Sequence, residues 1–438
     1  MSIKNLTSIL AICVYLQLGA QQTISGILSP KEDFKWLIAY KVNPTSQAYI
    51  ADSEVKNGSF AINIPANAPT GVYRMVYAIP QDEFYFDLIY NGTEDIKLSF
   101  DLETGLSFSS SLENISLQNY LKEIDSVEEE IEKLYDGGKI DQKIEADLFK
   151  KLQNIQYTYE SRSKDLIAAH FIRANKPYIP TAYEMEHAAY AHHKLAHYFD
   201  TLDFNDPILQ GSQFLSDKLV EYLFDIFPIP PRNRGEMEHA IQSKVQDVDE
   251  ALKNVDPFYK TLLMEDLWDK ATLYNLDATA DLIYENYLRQ LAQETQNTKL
   301  VDRIETYNRL RIGAVAPEII WDGKKLSELS GSKYYVLVFW SSTCSHCLNE
   351  LPKLQQGLKG MADVQVLAIG LEDDRDNWAK ESAKLPDFIH GLALGKWENP
   401  YVSLYHIQHT PTYFILDGEK HIVAKPEHYN AAIDFLKN

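Results

Sequence analysis

Two cysteines separated by two residues are the part of this sequence best suited to chemistry. Cys344 and Cys347 follow an apolar run at 335–339 and precede a helix-compatible segment at 348–358. At the start of a helix, unpaired backbone N–H groups and the helix dipole favour negative charge. They lower the pKa of a thiol placed there, and the thiolate is the attacking species. Cys347 lies one turn further on and can close a disulfide with Cys344, so the pair is predicted to be a redox site.

This site needs a strand that ends just before it and a helix that begins at it. The apolar run at 335–339 is short and β-branched enough to predict a buried strand. Asp417-Gly418-Glu419-Lys420 is predicted to be the turn of a β-hairpin. The remaining predicted elements of this region are strands at 364–369, 413–416 and 422–424, and helices at 375–384 and 431–436.

Three further motifs surround the cysteine pair. They are Gly-Ala-Val-Ala-Pro at 313–317, Glu350 followed by Pro352, and Thr-Pro-Thr at 410–412 before a strand. With these motifs, residues 312–438 resemble the thioredoxin superfamily, and more narrowly its extracytoplasmic TlpA/ResA-type thiol–disulfide oxidoreductases of Bacteroidetes. The resemblance implies a thioredoxin-like α/β fold with a cis bond before Pro411. It also implies that Pro411 faces the disulfide and presents backbone to a substrate, and that Glu350 helps proton transfer at the thiols.

Each candidate site residue has a role and an alternative. Cys344, nearer the helix start, is predicted to be the nucleophile, and Cys347 the resolving thiol. The alternative for the pair is half of a zinc site, which would need further ligands at matching spacing. A protonated His346 would stabilise the thiolate and make the disulfide a stronger oxidant, or His346 is only an exposed spacer. The alternative for Glu350 is an ordinary solvent-facing side chain.

Length and charge limit what the rest of the chain can be. The length of 438 residues predicts about three domains, at roughly 150 residues each. The net charge of −21 argues against a nucleic-acid partner, which needs a basic surface. The predicted fold class is an N-terminal β-sandwich at 21–106, a central all-α domain at 112–311 and the α/β domain at 312–438. The first two resemble domains of unknown function that precede thioredoxin-like domains in the same bacteria.

The β region is predicted mainly from its turns. Asn57-Gly58 and Asn91-Gly92 each separate two runs in which apolar residues alternate. Asn-Gly between alternating runs is the strongest local signal of a β-hairpin. We therefore expect one hairpin around each Asn-Gly pair.

The first 20 residues are predicted to be a secretory signal peptide. Lys4 is followed by an apolar stretch and by small residues ending at Ala20. Cys13 also suggests a lipoprotein anchor, but Ile12 stands where a small residue is expected and the apolar run continues past Cys13. Cleavage near Ala20 would leave two cysteines, both in the motif, so a structural disulfide framework is excluded. The expected location is the periplasm.

Clustered histidines raise the question of a metal. Glu186, Tyr190, His193 and His197 fall on one face of a helix, with His187 and His192 nearby. Two histidines at i, i+4 bind zinc only with further ligands in a tetrahedral array. A solvated helix face is the favoured interpretation. We expect no metal and no cofactor other than the redox-active Cys344–Cys347 disulfide.

The sequence therefore predicts an exported thiol–disulfide oxidoreductase that reduces or exchanges disulfides of protein substrates. A mixed disulfide on Cys344 would be resolved by Cys347, and a membrane electron donor or another thiol-redox partner would recycle the pair. The alternatives are a thiol oxidase, a binding or scaffold protein with an incidental thioredoxin-like domain, and a peroxidase. Leu337 stands where a peroxidase of the peroxiredoxin type has a proline, although Ser341 could supply the hydroxyl.

Overall fold

A computed structural model describes residues 22–44, 46–136, 141–183 and 186–437. The predicted signal peptide, with Cys13, lies outside the described residues. By contacts the chain divides into two compact units, and the division falls between Thr295 and Gln296. Each unit is described by itself. The predicted domain boundaries within and between them remain predictions.

The first unit begins with eight strands in two four-stranded sheets, in the orders β4-β1-β7-β8 and β3-β2-β5-β6. Apolar side chains of both sheets form one core, to which Ile24 and Ile96 contribute from one sheet and Tyr73 and Leu88 from the other. This arrangement is a β-sandwich. Its strands are β1 (Thr23–Ser29), β2 (Trp36–Asn43), β3 (Ser46–Glu54), β4 (Ser59–Asn63), β5 (Gly71–Val76), β6 (Tyr85–Tyr90), β7 (Ile96–Asp101) and β8 (Gly105–Ser110).

The two predicted Asn-Gly hairpins are wrong as strand pairs, although both turns exist. Asn57 and Gly58 have positive φ angles, and the bridge between Lys56 and Ser59 closes the turn. However, β3 pairs with β2, whereas β4 pairs with β1 in the other sheet. Asn91-Gly92 likewise connects β6 of one sheet to β7 of the other. Alternating apolar residues put one face of a strand on the core in either sheet, so the alternation does not determine which sheet a strand joins.

The rest of the first unit is helical, and two turns within it are π-helical, at Glu221–Asp225 and Tyr284–Leu288. Asn114 attaches the first helix to the sandwich, because its buried side chain bonds both the N–H and the C=O of Ile89, each at 2.8 Å. The helices are α1 (Leu112–Asp136), α2 (Gln142–Ser163), α3 (Ala168–Ala174), α4 (His187–Ala196), α5 (Pro207–Gln210), α6 (Phe214–Val220), α7 (Arg234–Ala251), α8 (Pro257–Leu273), α9 (Asp277–Ile283) and α10 (Arg289–Glu294).

The second unit is an α/β domain with a five-stranded sheet in the order β13-β12-β11-β14-β15. Strands β11, β12 and β13 are parallel, and β14 is antiparallel to β11. Its strands are β9 (Ile320–Trp321), β10 (Lys324–Lys325), β11 (Tyr334–Trp340), β12 (Val364–Glu372), β13 (Ile389–Leu394), β14 (Thr412–Asp417) and β15 (Ile422–Ala424). Its helices are α11 (Thr298–Leu310), α12 (Ser345–Gly357), α13 (Arg375–Ser382), α14 (Pro400–Leu404) and α15 (Tyr429–Lys437).

Separate apolar cores cover the two faces of this sheet. Leu351 of α12 and Ile433 of α15 belong to one core. Leu310 of α11 and Tyr405 belong to the other. Helix α11, which was predicted as the end of the helical domain, is therefore part of the second unit. The predicted fold class of sandwich, helical region and C-terminal α/β domain is confirmed.

Candidate active site

The cysteine motif lies where β11 ends and α12 begins, as the sequence predicted. Cys344 is the N-cap residue of α12, with extended backbone angles, and its sulfur accepts a hydrogen bond from the N–H of Cys347 at 3.4 Å. Cys344 is partly exposed, whereas Cys347 is fully buried on the inner face of the helix. The parallel strand β12 and the antiparallel strand β14 flank β11 and hold it at the centre of the sheet.

The two thiols are in contrasting electrostatic environments. Burial acts to raise the pKa of Cys344. Hydrogen bonds with the side chains of Cys347 and Thr410 and with the backbone N–H groups of residues 346 and 347 outweigh burial and lower the pKa. Burial and the neighbouring Cys344 sulfur raise the pKa of Cys347 well above its usual range. Cys344 is thus the thiol that ionises more easily, and it is also the more exposed of the two.

The loop before β14 faces the first cysteine. The Thr410–Pro411 peptide bond is cis, the isomer that the family resemblance implies. The thiol of Cys344 donates a hydrogen bond to the carbonyl oxygen of Thr410 at 3.2 Å. Pro411 itself is buried. The backbone just before Pro411 therefore lies against the sulfur of Cys344.

Glu350 lies one turn after Cys347 on α12 and is partly buried. Its Oε2 atom accepts a hydrogen bond from the Tyr413 hydroxyl at 3.1 Å and from the N–H of Tyr429 at 3.3 Å. Burial and then the Glu350 carboxylate raise the pKa of Tyr413, and the charges of both cysteines add to this effect. Glu350 is therefore held in polar contacts with Tyr413 and Tyr429 and is not a free surface side chain.

The His346 side chain is exposed. The backbone N–H of His346, not its side chain, hydrogen-bonds the Cys344 sulfur and helps to lower the pKa of that thiol. The predicted effect of the imidazole remains a prediction. Pro352 lies inside α12, which continues past it to Gly357.

Three features of the site were not found from the sequence. Tyr413 looked like an ordinary strand residue, yet its hydroxyl bonds Glu350. Glu372, at the end of β12, is buried and accepts hydrogen bonds from Ser341 and Ser342. The carbonyl of Thr410 belongs to the backbone, so the type of residue at this position does not reveal its hydrogen bond with Cys344. For these features the one signal available in the sequence was the acidic residue Glu372, which follows the predicted strand next to β11.

The histidines considered for metal binding make ordinary contacts on α4 and just after it. His187 bonds Glu132 at 2.9 Å and stacks on Tyr135. His197 bonds Asp200 at 2.7 Å. Among the described residues there is no group of three or more His, Cys, Asp or Glu side chains that could hold a metal ion. Within the same ranges, no helix has the length and apolar character needed to cross a membrane.

A comparison with known protein families agrees with the fold of the C-terminal unit. Residues 331–422 match the family described as Thioredoxin-like. With the sheet order above, this match defines the C-terminal unit as a thioredoxin-like domain. No curated protein matches the chain.

Several solved structures are similar to this chain. A domain described as a possible thiol-disulfide isomerase from Cytophaga hutchinsonii is 31% identical, with 29% of this chain and 92% of that chain covered and a TM-score of 0.27. A thioredoxin-like protein from Bacteroides caccae is 21% identical, with 60% and 96% covered and a TM-score of 0.33. The thioredoxin domain of a thiol-disulfide oxidoreductase from Bacteroides vulgatus is 26% identical, with 29% and 99% covered and a TM-score of 0.26.

Proposed function

We propose that this protein is an exported thiol–disulfide oxidoreductase that reduces or exchanges protein disulfides at Cys344 and Cys347. The observation that carries the proposal is the asymmetry of the pair. Cys344 is accessible, lies at a helix start and has a lowered pKa, while Cys347 is buried behind it with a raised pKa. Export rests on the signal-like first 20 residues, and the periplasm is the proposed location.

The reaction proceeds in two steps of thiolate attack. The Cys344 thiolate attacks one sulfur of a substrate disulfide, so that a mixed disulfide forms and the other substrate sulfur leaves as a thiolate. Cys347 then loses its proton and attacks the Cys344 sulfur, which closes the Cys344–Cys347 disulfide and releases the second substrate sulfur. The substrate gains two electrons, and an external thiol-redox donor must return two electrons to the protein.

The contact between Cys344 and the loop at Thr410 supports the proposal that a substrate segment binds beside the Thr410 carbonyl. The Thr410 carbonyl accepts from the thiol in the free protein. When Cys344 enters a mixed disulfide it loses this proton, and the carbonyl becomes free to accept from the backbone of a substrate segment. Pro411 fixes the backbone beside it.

The test uses an aromatic disulfide that releases one coloured thiolate when Cys344 attacks and a second when Cys347 resolves. Reduced protein is expected to release two equivalents and to end with both cysteines protected from a thiol-trapping reagent, as mass spectrometry would show. Cysteines that do not cycle between the reduced and the disulfide form would instead favour a scaffold protein. The reduction potential then gives the direction, since a value near about −270 mV indicates a reductant and one near about −120 mV an oxidant.

Neutralising Glu350 is expected to slow the second release, because Cys347 must lose a proton inside a buried site. Glu350→Gln removes the proton acceptor, and positioned acid–base groups contribute roughly a hundredfold or more. We expect the second release to slow by roughly ten- to a hundredfold at neutral pH, and the difference to shrink as pH rises and hydroxide removes the proton. Stopped-flow absorbance measures both phases. Glu419→Gln, an exposed acid at the β14–β15 turn, is the control, and an unchanged second phase in Glu350→Gln would exclude this role.

A further inference from the structure

A cavity in the first unit lies against an open edge of the β-sandwich. Its volume is about 710 Å³, which is comparable to ligand sites in other proteins. Strand β6 is the last strand of its sheet, so within the described residues one side of β6 has no neighbouring strand. Residues 87–89 of β6 line the cavity, together with helix α1 and the start of helix α6. The cavity therefore gives access to an unpaired strand edge.

This edge is paired at one residue by a side chain instead of a strand. The amide group of Asn114 bonds both the N–H and the C=O of Ile89, each at 2.8 Å. These are the two groups through which a neighbouring strand would bond Ile89. Strand β6 pairs with β5 in a regular antiparallel register, so backbone groups two residues apart point the same way. The N–H and C=O of Asp87 therefore point to the same open edge.

The other walls of the cavity are largely apolar. Leu117 and Leu121 lie one turn apart on α1, and Phe214 begins α6. Phe108 and Phe171 also line the cavity. An apolar wall beside an open strand edge suits an extended polypeptide segment, because the main chain bonds the edge and alternate side chains enter the space beside it.

The charge of the cavity indicates which kind of segment would bind. Four acidic residues and one basic residue, Lys122, line it. In the described part of the chain, the carboxylates of Asp125 and Asp217 take part in no hydrogen bond or salt bridge. Partial loss of surrounding water, and then the charges of Asp266 and Asp87, raise the pKa of Asp217 to about 6, and nearby basic side chains do not offset these effects. A cation bound here would supply the missing charge.

We propose that this cavity binds an extended polypeptide segment that pairs with the β6 edge at Asp87 and carries a lysine or arginine side chain to the carboxylates of Asp125 and Asp217. Apolar residues beside that basic residue would contact the leucine and phenylalanine side chains of the wall. The charge of the cavity favours basic over acidic segments, since like charges repel. The inference does not rest on disulfide exchange, and it gives the first unit a binding role.

The test measures binding of a short capped peptide, in which valine and lysine alternate, to the full protein by fluorescence anisotropy. A matched peptide with glutamate in place of lysine should bind weaker by roughly tenfold or more, because hydrogen bonds to charged groups contribute that much. Equal affinity of the two peptides overturns the proposal.

Hydrogen exchange measured by mass spectrometry locates the bound peptide. The valine–lysine peptide should slow the exchange of the β6 segment that contains Asp87, because a paired edge N–H is protected. Strand β3 is the control, since it is the other edge of the same sheet and does not line this cavity. No protection of β6, or equal protection of β6 and β3, overturns the proposal.

A pair of variants separates the cavity from the general attraction of an acidic protein for a basic peptide. Asp217→Asn should weaken binding of the valine–lysine peptide by roughly tenfold. Asp165→Asn is the matched control and should bind like wild type, because its side chain is 85% exposed and does not line the cavity. Neither change touches Cys344 or Cys347, so thiolate release from the aromatic disulfide should be unchanged. An equal effect of the two substitutions overturns the proposal.

Two other occupants are outcomes of the same experiments. If benzylamine, which has an apolar ring and a cation but no strand, displaces the peptide at comparable concentrations, strand pairing is not required and the proposal fails. If light scattering shows a dimer that the peptide dissociates, the cavity is a contact between two copies of this chain and the proposal fails equally. Protein that binds the peptide as expected but releases no thiolate would contradict the proposed function alone.

Discussion

Replacing Cys344 by serine is expected to lower the rate of disulfide exchange by roughly a thousandfold or more, in line with the loss of other catalytic nucleophiles. A serine hydroxyl at the start of α12 is not ionised at neutral pH, so the hydrogen bonds that favour a Cys344 thiolate have no anion to stabilise. The measurement is the first thiolate release from the aromatic disulfide under single-turnover conditions.

Cys347→Ser is the companion variant for this experiment. It should release the first thiolate at a rate close to wild type and then stop, because nothing resolves the mixed disulfide on Cys344. Mass spectrometry should show the retained half of the reagent on Cys344. Equal activity in Cys344→Ser and wild-type protein would contradict the assignment of the nucleophile, and a complete second release in Cys347→Ser would contradict that of the resolving thiol.

The second large effect is expected in the reactivity of the two thiols toward an alkylating reagent. At neutral pH, iodoacetamide should modify Cys344 roughly a hundredfold or more faster than Cys347, because alkylation requires an accessible thiolate. The pKa of Cys344 is lowered, so the rate of its alkylation should rise with pH and reach a plateau at a lower pH than the alkylation rate of an ordinary cysteine. The pKa of Cys347 is raised by burial, so Cys347 should remain protonated across the same range.

Mass spectrometry of partly alkylated protein, with each cysteine located in its peptide, measures these rates. The unfolded chain in denaturant is the control, because both cysteines there should react at similar rates. Similar rates for the two cysteines in the folded protein would show that the asymmetry behind the proposed mechanism is absent.

The local structure around the cysteine motif could be predicted from the sequence, because it depends on residues close together in the chain. The spacing of Cys344 and Cys347 places them one turn apart on any helix that begins there, and the preceding apolar run predicts a strand. The helix begins at Ser345, slightly before the predicted start at 348, because Cys344 caps it. The turn at Asp417 also formed as predicted, since its residues bond among themselves and join β14 to β15.

Pairing between distant segments could not be predicted in the same way. Both Asn-Gly turns were recognised, yet the strands on either side of each turn join different sheets. Strand β13 was missed because Gly391 interrupts its apolar pattern. A Cβ at Gly391 would lie 2.6 Å from Ile369 and 3.0 Å from Trp321, so a larger residue there would displace side chains that are far along the chain.

The sequence alone indicated which atoms are proposed to react, because a thiol pair at a helix start depends only on residue type and spacing. The tertiary structure decided which groups surround them. Thr410, Tyr413 and Glu372 reach the cysteine region from later strands and loops. Hydrogen bonding and burial depend on distances in space. The packing of the sheet, not the order of residues, brings Thr410 against Cys344, Tyr413 against Glu350 and Glu372 against Ser342.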